Sequence, residues 1–161
     1  MDSPKAANKI IDENAARAKA ENYCSYQERS QQEARDKLYE WGLHAKAVEN
    51  IISELITANF LNEERFAKAY ATGKFRQKGW GRLKIKQGLK FKKVPDVLIK
   101  KALQAIDGDD YLKMLEKVIA KKGKTLGEKD PYKRKYKLQQ YALGRGYESD
   151  LINDVLKGLV D

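Results

Sequence analysis

The residues with the most evident chemistry in this sequence form a basic run, residues 74–93, that no acidic residue interrupts. Its nine cations are Lys74, Arg76, Lys78, Arg82, Lys84, Lys86, Lys90, Lys92 and Lys93. Because such closely spaced cations repel one another, an anionic partner would offset the repulsion. A nucleic-acid backbone is one candidate, since each neutralised phosphate releases condensed counterions. An acidic groove on another protein is a second candidate, and a solvated lysine-rich face is the interpretation that needs no partner.

Part of the basic run is expected to form a ridge along one helix. When the chain turns by about 100° per residue, four of its cations fall within an arc of about 80°: Arg82, Lys86, Lys90 and Lys93. Trp80 precedes this ridge, between Gly79 and Gly81. Its indole is expected either to be exposed on a turn, where it can stack on a base or anchor an interface, or to pack at a helix junction.

The basic excess belongs to the middle third of the chain. The net charge of the 161 residues is +10. Residues 62–106 hold 13 basic and 3 acidic side chains, whereas residues 1–61 hold 8 and 10 and residues 107–161 hold 12 and 10. A second basic stretch, residues 121–137, is interrupted by Glu128 and Asp130, so we expect it to be an ordinary solvated surface.

The sequence offers little for catalysis. Cys24 is the only cysteine, which excludes an internal disulfide framework, and His44 is the only histidine. No paired base is therefore visible for a nucleophile. Asp107, Asp109 and Asp110 stand where a helix is expected to begin, so they are interpreted as caps rather than metal ligands.

Nucleotide-binding loops and membrane spans are not expected either. The string Gly123-Lys124-Thr125 ends like a phosphate-binding loop, but Val118 stands where its first glycine must be. The string Gly144-Arg145-Gly146 lacks the third glycine and the preceding strand of a dinucleotide site. No stretch approaches about 18 consecutive apolar residues, and residues 1–4 lack a signal-peptide core. We therefore expect a cytosolic binding protein without catalytic residues, cofactor or metal.

The spacing of apolar residues predicts an all-α protein with about nine helices. They are expected near residues 15–27, 31–41, 45–58, 63–78, 82–91, 95–106, 110–121, 131–143 and 148–158. A capping box is predicted at Ser30 and Glu33, and Asn62 is predicted to be another N-cap. Pro95 and Pro131 are expected in the first turns of helices, where the missing N–H does no harm.

Six apolar columns indicate that these helices repeat three times. The columns are Leu38 with Leu89 and Ala142, Leu43 with Val94 and Tyr147, Val48 with Ile99 and Ile152, Ile51 with Ala102 and Val155, Ile52 with Leu103 and Leu156, and Leu55 with Ile106 and Leu159. We predict three tandem three-helix repeats at residues 15–61, 62–107 and 108–161, after a flexible tail at residues 1–14. Units of about 50 residues bury too little surface alone, so neighbouring repeats should pack together.

Several strings resemble the signatures of the RecX family of recombinase regulators. The signature at the start of the family's sequences is similar to Tyr23-Cys24, Arg29-Ser30-x-x-Glu33, Arg35 and Lys37-Leu38. Its central signature is resembled by Phe60-Leu61-Asn62-Glu63-Glu64-Arg65-Phe66-Ala67, Tyr70, Gly73-Lys74-Phe75-Arg76, Trp80-Gly81-Arg82-x-Lys84-Ile85 and Leu89. The resemblance covers most of residues 15–161. Two residues depart from it: Glu63 stands where aspartate is common, and Lys93 stands at a turn position where glycine is common.

The resemblance implies three tandem three-helix repeats in an elongated, curved array, which agrees with the periodicity. It also implies a cytoplasmic bacterial protein, away from membranes, that lies in the groove of the RecA filament on single-stranded DNA. Such proteins restrain RecA's ATP hydrolysis, strand exchange and stimulation of repressor self-cleavage, and so act in recombination, DNA repair and the SOS response. We expect a monomer whose contacts are Lys74, Arg76, Lys78, Trp80, Arg82, Lys84, Lys86, Lys90, Lys92 and Lys93.

Two other hypotheses stay open from the residues alone. An autonomous DNA- or RNA-binding helical module would bind bare nucleic acid tightly and lose affinity as the salt concentration rises. A helical-repeat scaffold for an unrelated acidic protein would use the same cations.

Overall fold

The computed structural model describes residues 12–160, and over that range it contains α-helices and no β-strand, as the sequence predicts. Nine helices lie there: α1 (Glu13–Tyr26), α2 (Gln31–Glu40), α3 (Ala45–Thr57), α4 (Glu63–Lys78), α5 (Arg82–Phe91), α6 (Asp96–Gln104), α7 (Gly108–Thr125), α8 (Pro131–Gly144) and α9 (Ser149–Val160). The tail predicted at residues 1–14 lies outside the described residues except for its last three, which are the N-cap Asp12 and the start of α1.

Polar side chains begin the helices where the sequence predicts them. The Ser30 hydroxyl accepts the N–H of Glu33 at 3.0 Å, and the Glu33 carboxylate accepts the N–H of Ser30 at 2.9 Å, which confirms the capping box. Asn62 accepts the N–H three residues later at 2.8 Å. Asp107 caps α7 in the same way at 3.0 Å, so the interpretation of this aspartate as a cap is confirmed.

The two prolines differ in how well they follow the prediction. Pro131 opens α8, as expected. Pro95, expected in the first turn of α6, is instead its N-cap, so this prediction was wrong by one residue. The reason is that its extended backbone, with ψ 145°, is outside the helix, while its carbonyl already accepts the N–H of Ile99 at 3.1 Å.

Most residues of the apolar columns are buried at matching positions of the three repeats, which confirms the tandem repeat. In each repeat the second helix packs on the third: α2 on α3, α5 on α6 and α8 on α9. Leu38, Leu89 and Ala142, which share one column, are all fully buried. The turns between these helices also match, because Gly42, Lys93 and Gly146 all have positive φ angles, at 93°, 62° and 98°. Lys93 therefore adopts the left-handed conformation that glycine provides in the other two repeats.

The described residues form two compact units, residues 12–69 with 92–94 and residues 70–91 with 95–160. The core of the first unit is made mainly by small and aliphatic side chains of α1, α2 and α3, with Leu38, Ile51 and Leu55 almost fully buried. The second unit is built around aromatic rings: the Tyr111 centroid lies 5.9 Å from Phe75 and 5.1 Å from Tyr147. Such ring contacts add to the free energy gained from burial.

Candidate functional site

The basic run is distributed over two helices and two turns. Residues 74–78 are the end of α4, Trp80 lies in the next turn, and residues 82–90 belong to α5. All of these lie in the second compact unit. Lys92 and Lys93 lie in the turn before α6 and belong to the first unit. Of the four cations in the predicted ridge, Arg82, Lys86 and Lys90 therefore lie on α5, whereas the placement of Lys93 on that helix was wrong.

Arg82 is engaged in a polar network inside the second unit. Its Nη1 lies 3.0 Å from Glu148 Oε2, and its guanidinium lies 3.8 Å from the centroid of the Tyr111 ring. The Tyr111 hydroxyl donates to Glu148 Oε1 at 2.6 Å and accepts the N–H of Arg82 at 2.9 Å. Burial, and then the bond to Glu148, raise the pKa of Tyr111 well above its usual range. The guanidinium of Arg82 is therefore paired with the carboxylate of Glu148 inside the second unit.

Two further cations of the run also have carboxylate partners. Lys92 Nζ lies 2.8 Å from Oε2 of Glu33, the same glutamate that completes the capping box of α2. Lys90 Nζ lies 3.9 Å from Asp96, but both side chains are more than half exposed, so this pair contributes little. Lys92 is thus a structural cation, whereas Lys90 keeps a charge that solvent can reach.

Trp80 holds two of the lysines over its ring. The Nζ atoms of Lys74 and Lys84 lie 5.0 Å and 4.7 Å from the indole centroid, and Lys74 also lies 5.4 Å from the Tyr70 ring. The indole itself is half-buried, so it has features of both predicted alternatives. Cation–π contacts of this kind fix ammonium groups without neutralising them.

Lys86 lies at the rim of an apolar groove in the second unit. The groove has a volume of about 520 Å³ and is lined by Arg82, Lys86, Asp96, Ile99, Lys100, Leu103, Gln104 and Ile106. Lys86 is exposed and has no carboxylate partner among the residues that the structure describes. A surface with an apolar floor and a basic rim suits the side chains of an acidic protein segment.

Arg76 and Lys78 contribute to a different surface, a cleft of about 440 Å³ that we call the basic cleft. The residues lining it are Arg76, Gln77, Lys78, Gly79, Met114, Lys117, Val118, Lys121, Lys122, Thr125, Tyr141 and Arg145. Six of these twelve residues are cationic and none is acidic. The end of α4, the helix α7 and the residue after α8 thus bring together charges that are far apart in sequence.

The turn at residues 79–81 is fixed by the turn at residues 145–147 of the same unit. Gly81 donates its N–H to the Arg145 carbonyl at 2.8 Å, and the Tyr147 hydroxyl donates to the Gly79 carbonyl at 2.9 Å. Arg145 Nη2 donates to the carbonyl of Lys78. These bonds satisfy carbonyls at the end of α4 and hold the cleft wall and the neighbouring Trp80 in place.

The sequence analysis missed four cations of the basic cleft: Lys117, Lys121, Lys122 and Arg145. The signal that could have found two of them is the four-residue spacing of Lys117 and Lys121, which places both on one face of α7, away from the buried Leu115 and Ile119. Lys121 and Lys122 belong to the second basic stretch, which we expected to be an ordinary solvated surface. The acid at Glu128 instead pairs with Lys137, at 3.0 Å, and is absent from the cleft lining.

Neither a metal centre nor a reactive thiol is found in the part of the chain that the structure describes. Residues 12–160 contain no group of three or more His, Cys, Asp or Glu side chains arranged to hold a metal ion. Cys24 is buried, and its burial raises the pKa of the thiol to about 11, which keeps it protonated. No helix among these residues has the length and apolar character needed to cross a membrane.

Comparison with family models matches the three repeats in order. The models of the first, second and third three-helix domains of RecX match residues 16–55, 62–103 and 109–156. The chain belongs to the RecX family. The whole basic run, together with Trp80, therefore lies in the second RecX domain, and the basic cleft combines the second and third domains.

Curated RecX proteins support the same assignment. The chain is 31% identical over 146 residues to Regulatory protein RecX of Clostridium acetobutylicum and 33% identical over 135 residues to that of Clostridium perfringens. It spans 67% and 63% of the length of these two relatives. It is also 29% identical over 159 residues to Regulatory protein RecX of Prosthecochloris aestuarii, of which it spans 96%.

A solved structure shows the RecX fold independently. The crystal structure of RecX from Lactobacillus salivarius matches with a TM-score of 0.82 at 24% identity, over 91% of this chain and 96% of that chain. At this level of identity the match shows the fold alone. Together with the family models it confirms the all-α tandem repeat.

Proposed function

We propose that this chain is a non-enzymatic regulator of the RecA recombinase that binds the RecA filament on single-stranded DNA. The observation that carries the proposal is the match of all three RecX domains in order, with the acid-free run inside the second domain. Its curated relatives are named as regulatory proteins. We expect the protein in the cytoplasm, where such filaments assemble.

The proposed contacts follow from which cations the fold leaves available. Arg82 and Lys92 are held by Glu148 and Glu33, so they act by positioning the surface. The direct contacts we propose are Lys74, Arg76, Lys78, Trp80, Lys84, Lys86, Lys90 and Lys93. Acidic walls of a protein filament and DNA phosphates are both attracted to such a set.

The proposed mechanism is binding rather than chemistry. A regulator changes a filament's activity only by binding one of its states more tightly than another. Preferential binding to a state that does not turn over would restrain ATP hydrolysis, strand exchange and repressor self-cleavage together, because all three need the active filament.

The direct test is the ATPase rate of RecA on single-stranded DNA, measured while the purified protein is added. We expect turnover to fall to a plateau as the filament is saturated, and undiminished turnover at saturation would contradict the proposal. A parallel titration with bare oligonucleotide addresses the alternative of an autonomous nucleic-acid-binding module. That alternative requires bare DNA to be bound as tightly as the assembled filament.

A further inference from the structure

The basic cleft carries a concentration of positive charge that the fold does not neutralise. Its cations are Arg76, Lys78, Lys117, Lys121, Lys122 and Arg145. Within residues 12–160 none of them forms an ion pair with a carboxylate, whereas Arg82 and Lys92 of the basic run do. We propose that this cleft binds the phosphodiester backbone of single-stranded nucleic acid. The inference rests on the proposed function, since it identifies the DNA backbone as the part of the nucleoprotein filament that the basic cleft contacts.

The spacing of the cations suits a chain of phosphates better than a single small anion. Lys117 and Lys121 are one helical turn apart on α7, which separates them by about 6 Å along the helix axis. Neighbouring phosphates of a single strand are farther apart than the rise of about 3.4 Å per nucleotide along a B-form axis, so two cations about 6 Å apart can contact successive phosphates. Arg76 and Lys78, at the end of α4, also line the cleft, so cations from different helices surround its opening.

Tyr141 distinguishes nucleic acid from an acidic polypeptide as the occupant. Its ring lines the cleft, and Lys122 Nζ lies 4.9 Å from the ring centroid. Grooves that bind single strands combine cations that track the backbone with aromatic side chains on which bases stack. An acidic polypeptide would be attracted by the same charge but has no planar base to place against the ring.

The cleft is also formed before any ligand arrives. Arg145 is anchored because its Nη2 donates to the Lys78 carbonyl and its own carbonyl accepts the N–H of Gly81. Gly79 has a φ of +67° and no side chain, so Arg145 and Val118 pack closely against it. A Cβ at this position would lie 3.3 Å from the nearest atom of each of these two side chains. A site whose walls are already ordered loses less conformational entropy on binding.

The experiment measures binding of a fluorescein-labelled oligothymidylate to the purified chain by fluorescence anisotropy at several salt concentrations. In the double variant K117E/K121E, whose two side chains are exposed, we expect the dissociation constant to rise by at least about tenfold. The slope of log affinity against log salt should fall by about 1.4, or about 0.7 for each lost phosphate contact. The matched control K129E/K133E changes the net charge equally at exposed lysines outside the cleft, and it should stay within about twofold of the wild type.

Three results would overturn the inference: unchanged binding by K117E/K121E, equal weakening in the control, or displacement of the oligothymidylate by polyglutamate as effectively as by unlabelled DNA. Circular dichroism checks the fold, and K117Q/K121Q, expected to lose at least about threefold, replaces the charge reversal if that variant is unfolded. The assay contains no recombinase, so its result does not depend on whether the chain regulates RecA. Cleft-dependent DNA binding without inhibition of the recombinase would contradict the proposed function alone.

Discussion

The hydroxyl of Tyr111 lies 2.6 Å from Oε1 of Glu148, where it joins the first turn of α7 to the residue that precedes α9. The same hydroxyl accepts the N–H of Arg82 at the start of α5, and the second oxygen of Glu148 binds the Arg82 side chain. One tyrosine and one glutamate thus connect the basic run of the second RecX domain to two helices of the third domain. This network fixes where α5 begins, and hence where its exposed lysines lie.

Tyr111→Phe should destabilise the protein by about 1–3 kcal/mol. The phenyl ring keeps the packing against Phe75 and Tyr147, but the N–H of Arg82 loses its acceptor and Glu148 loses a donor in a partly buried site. Urea unfolding followed by circular dichroism measures the change. Tyr132→Phe is the control, since Tyr132 is 86% exposed, and an equal effect of the two variants would show that the network contributes nothing.

The stability of the second unit should fall at alkaline pH because of its two buried tyrosines. The pKa values of Tyr111 and Tyr147 are raised, chiefly by burial, so the folded protein keeps both protonated while the unfolded chain ionises above about pH 10. Their contribution is therefore fully present below about pH 10 and is lost as the pH rises further. We expect the unfolding free energy to fall less steeply between about pH 9 and pH 11 in the double variant Y111F/Y147F than in the wild type. Parallel profiles would exclude these two tyrosines as the cause.

Helix ends and apolar periodicity could be predicted from the sequence because they depend on neighbouring residues. Ser30 and Glu33 are three residues apart, and the partners of each apolar column recur after one repeat. The charge pairs could not be predicted in the same way. Arg82 and Glu148 are separated by 66 residues, and Lys92 and Glu33 by 59, so only the tertiary structure shows which cations of the basic run are already bound.

The basic cleft shows the same limit for a whole site. Its cations come from the end of α4, from α7 and from the residue after α8, so no single stretch of the sequence shows the whole set. The interrupting acids Glu128 and Asp130 led us to expect an ordinary solvated surface in the second basic stretch, yet the Glu128 side chain pairs with Lys137. A count of charges along the sequence includes the side chains on every face of a helix, whereas only the side chains on one face line a cleft.

Gly81→Ala should be severely destabilising, by about 3 kcal/mol or more, whereas Gly73→Ala should be neutral or stabilising. A Cβ at Gly81 would lie 2.4 Å from the carbonyl oxygen of Gly146, and a backbone atom cannot move aside cheaply. A Cβ at Gly73, inside α4, meets nothing within 4 Å, and alanine favours a helix by about 0.5–1 kcal/mol. Thermal unfolding of both variants tests the contrast, and similar melting temperatures would refute the close approach of the two turns.

Lys93→Gly should stabilise the protein by about 1 kcal/mol. Lys93 has a φ of 62°, a conformation that costs a residue with a side chain about 1–2 kcal/mol, and Gly42 and Gly146 occupy the matching turns of the other repeats. Urea unfolding measures the gain. Lys93→Ala removes the same charge but keeps the strain, so it should leave stability nearly unchanged. Equal stabilisation by the two variants would mean that charge repulsion, and not backbone strain, is relieved.

The double variant K86E/K90E should require at least about tenfold more protein than the wild type to half-inhibit the RecA ATPase. Both lysines are exposed on α5, and neither has a strong ion pair, so reversing them replaces attraction to an acidic surface by repulsion without opening the core. The control K129E/K133E alters the net charge by the same amount on another surface and should inhibit as the wild type does. Circular dichroism and melting temperature establish that each variant is folded. If folded K86E/K90E inhibits at the wild-type concentration, then the proposed contacts of Lys86 and Lys90 with the filament are wrong even if inhibition itself is observed.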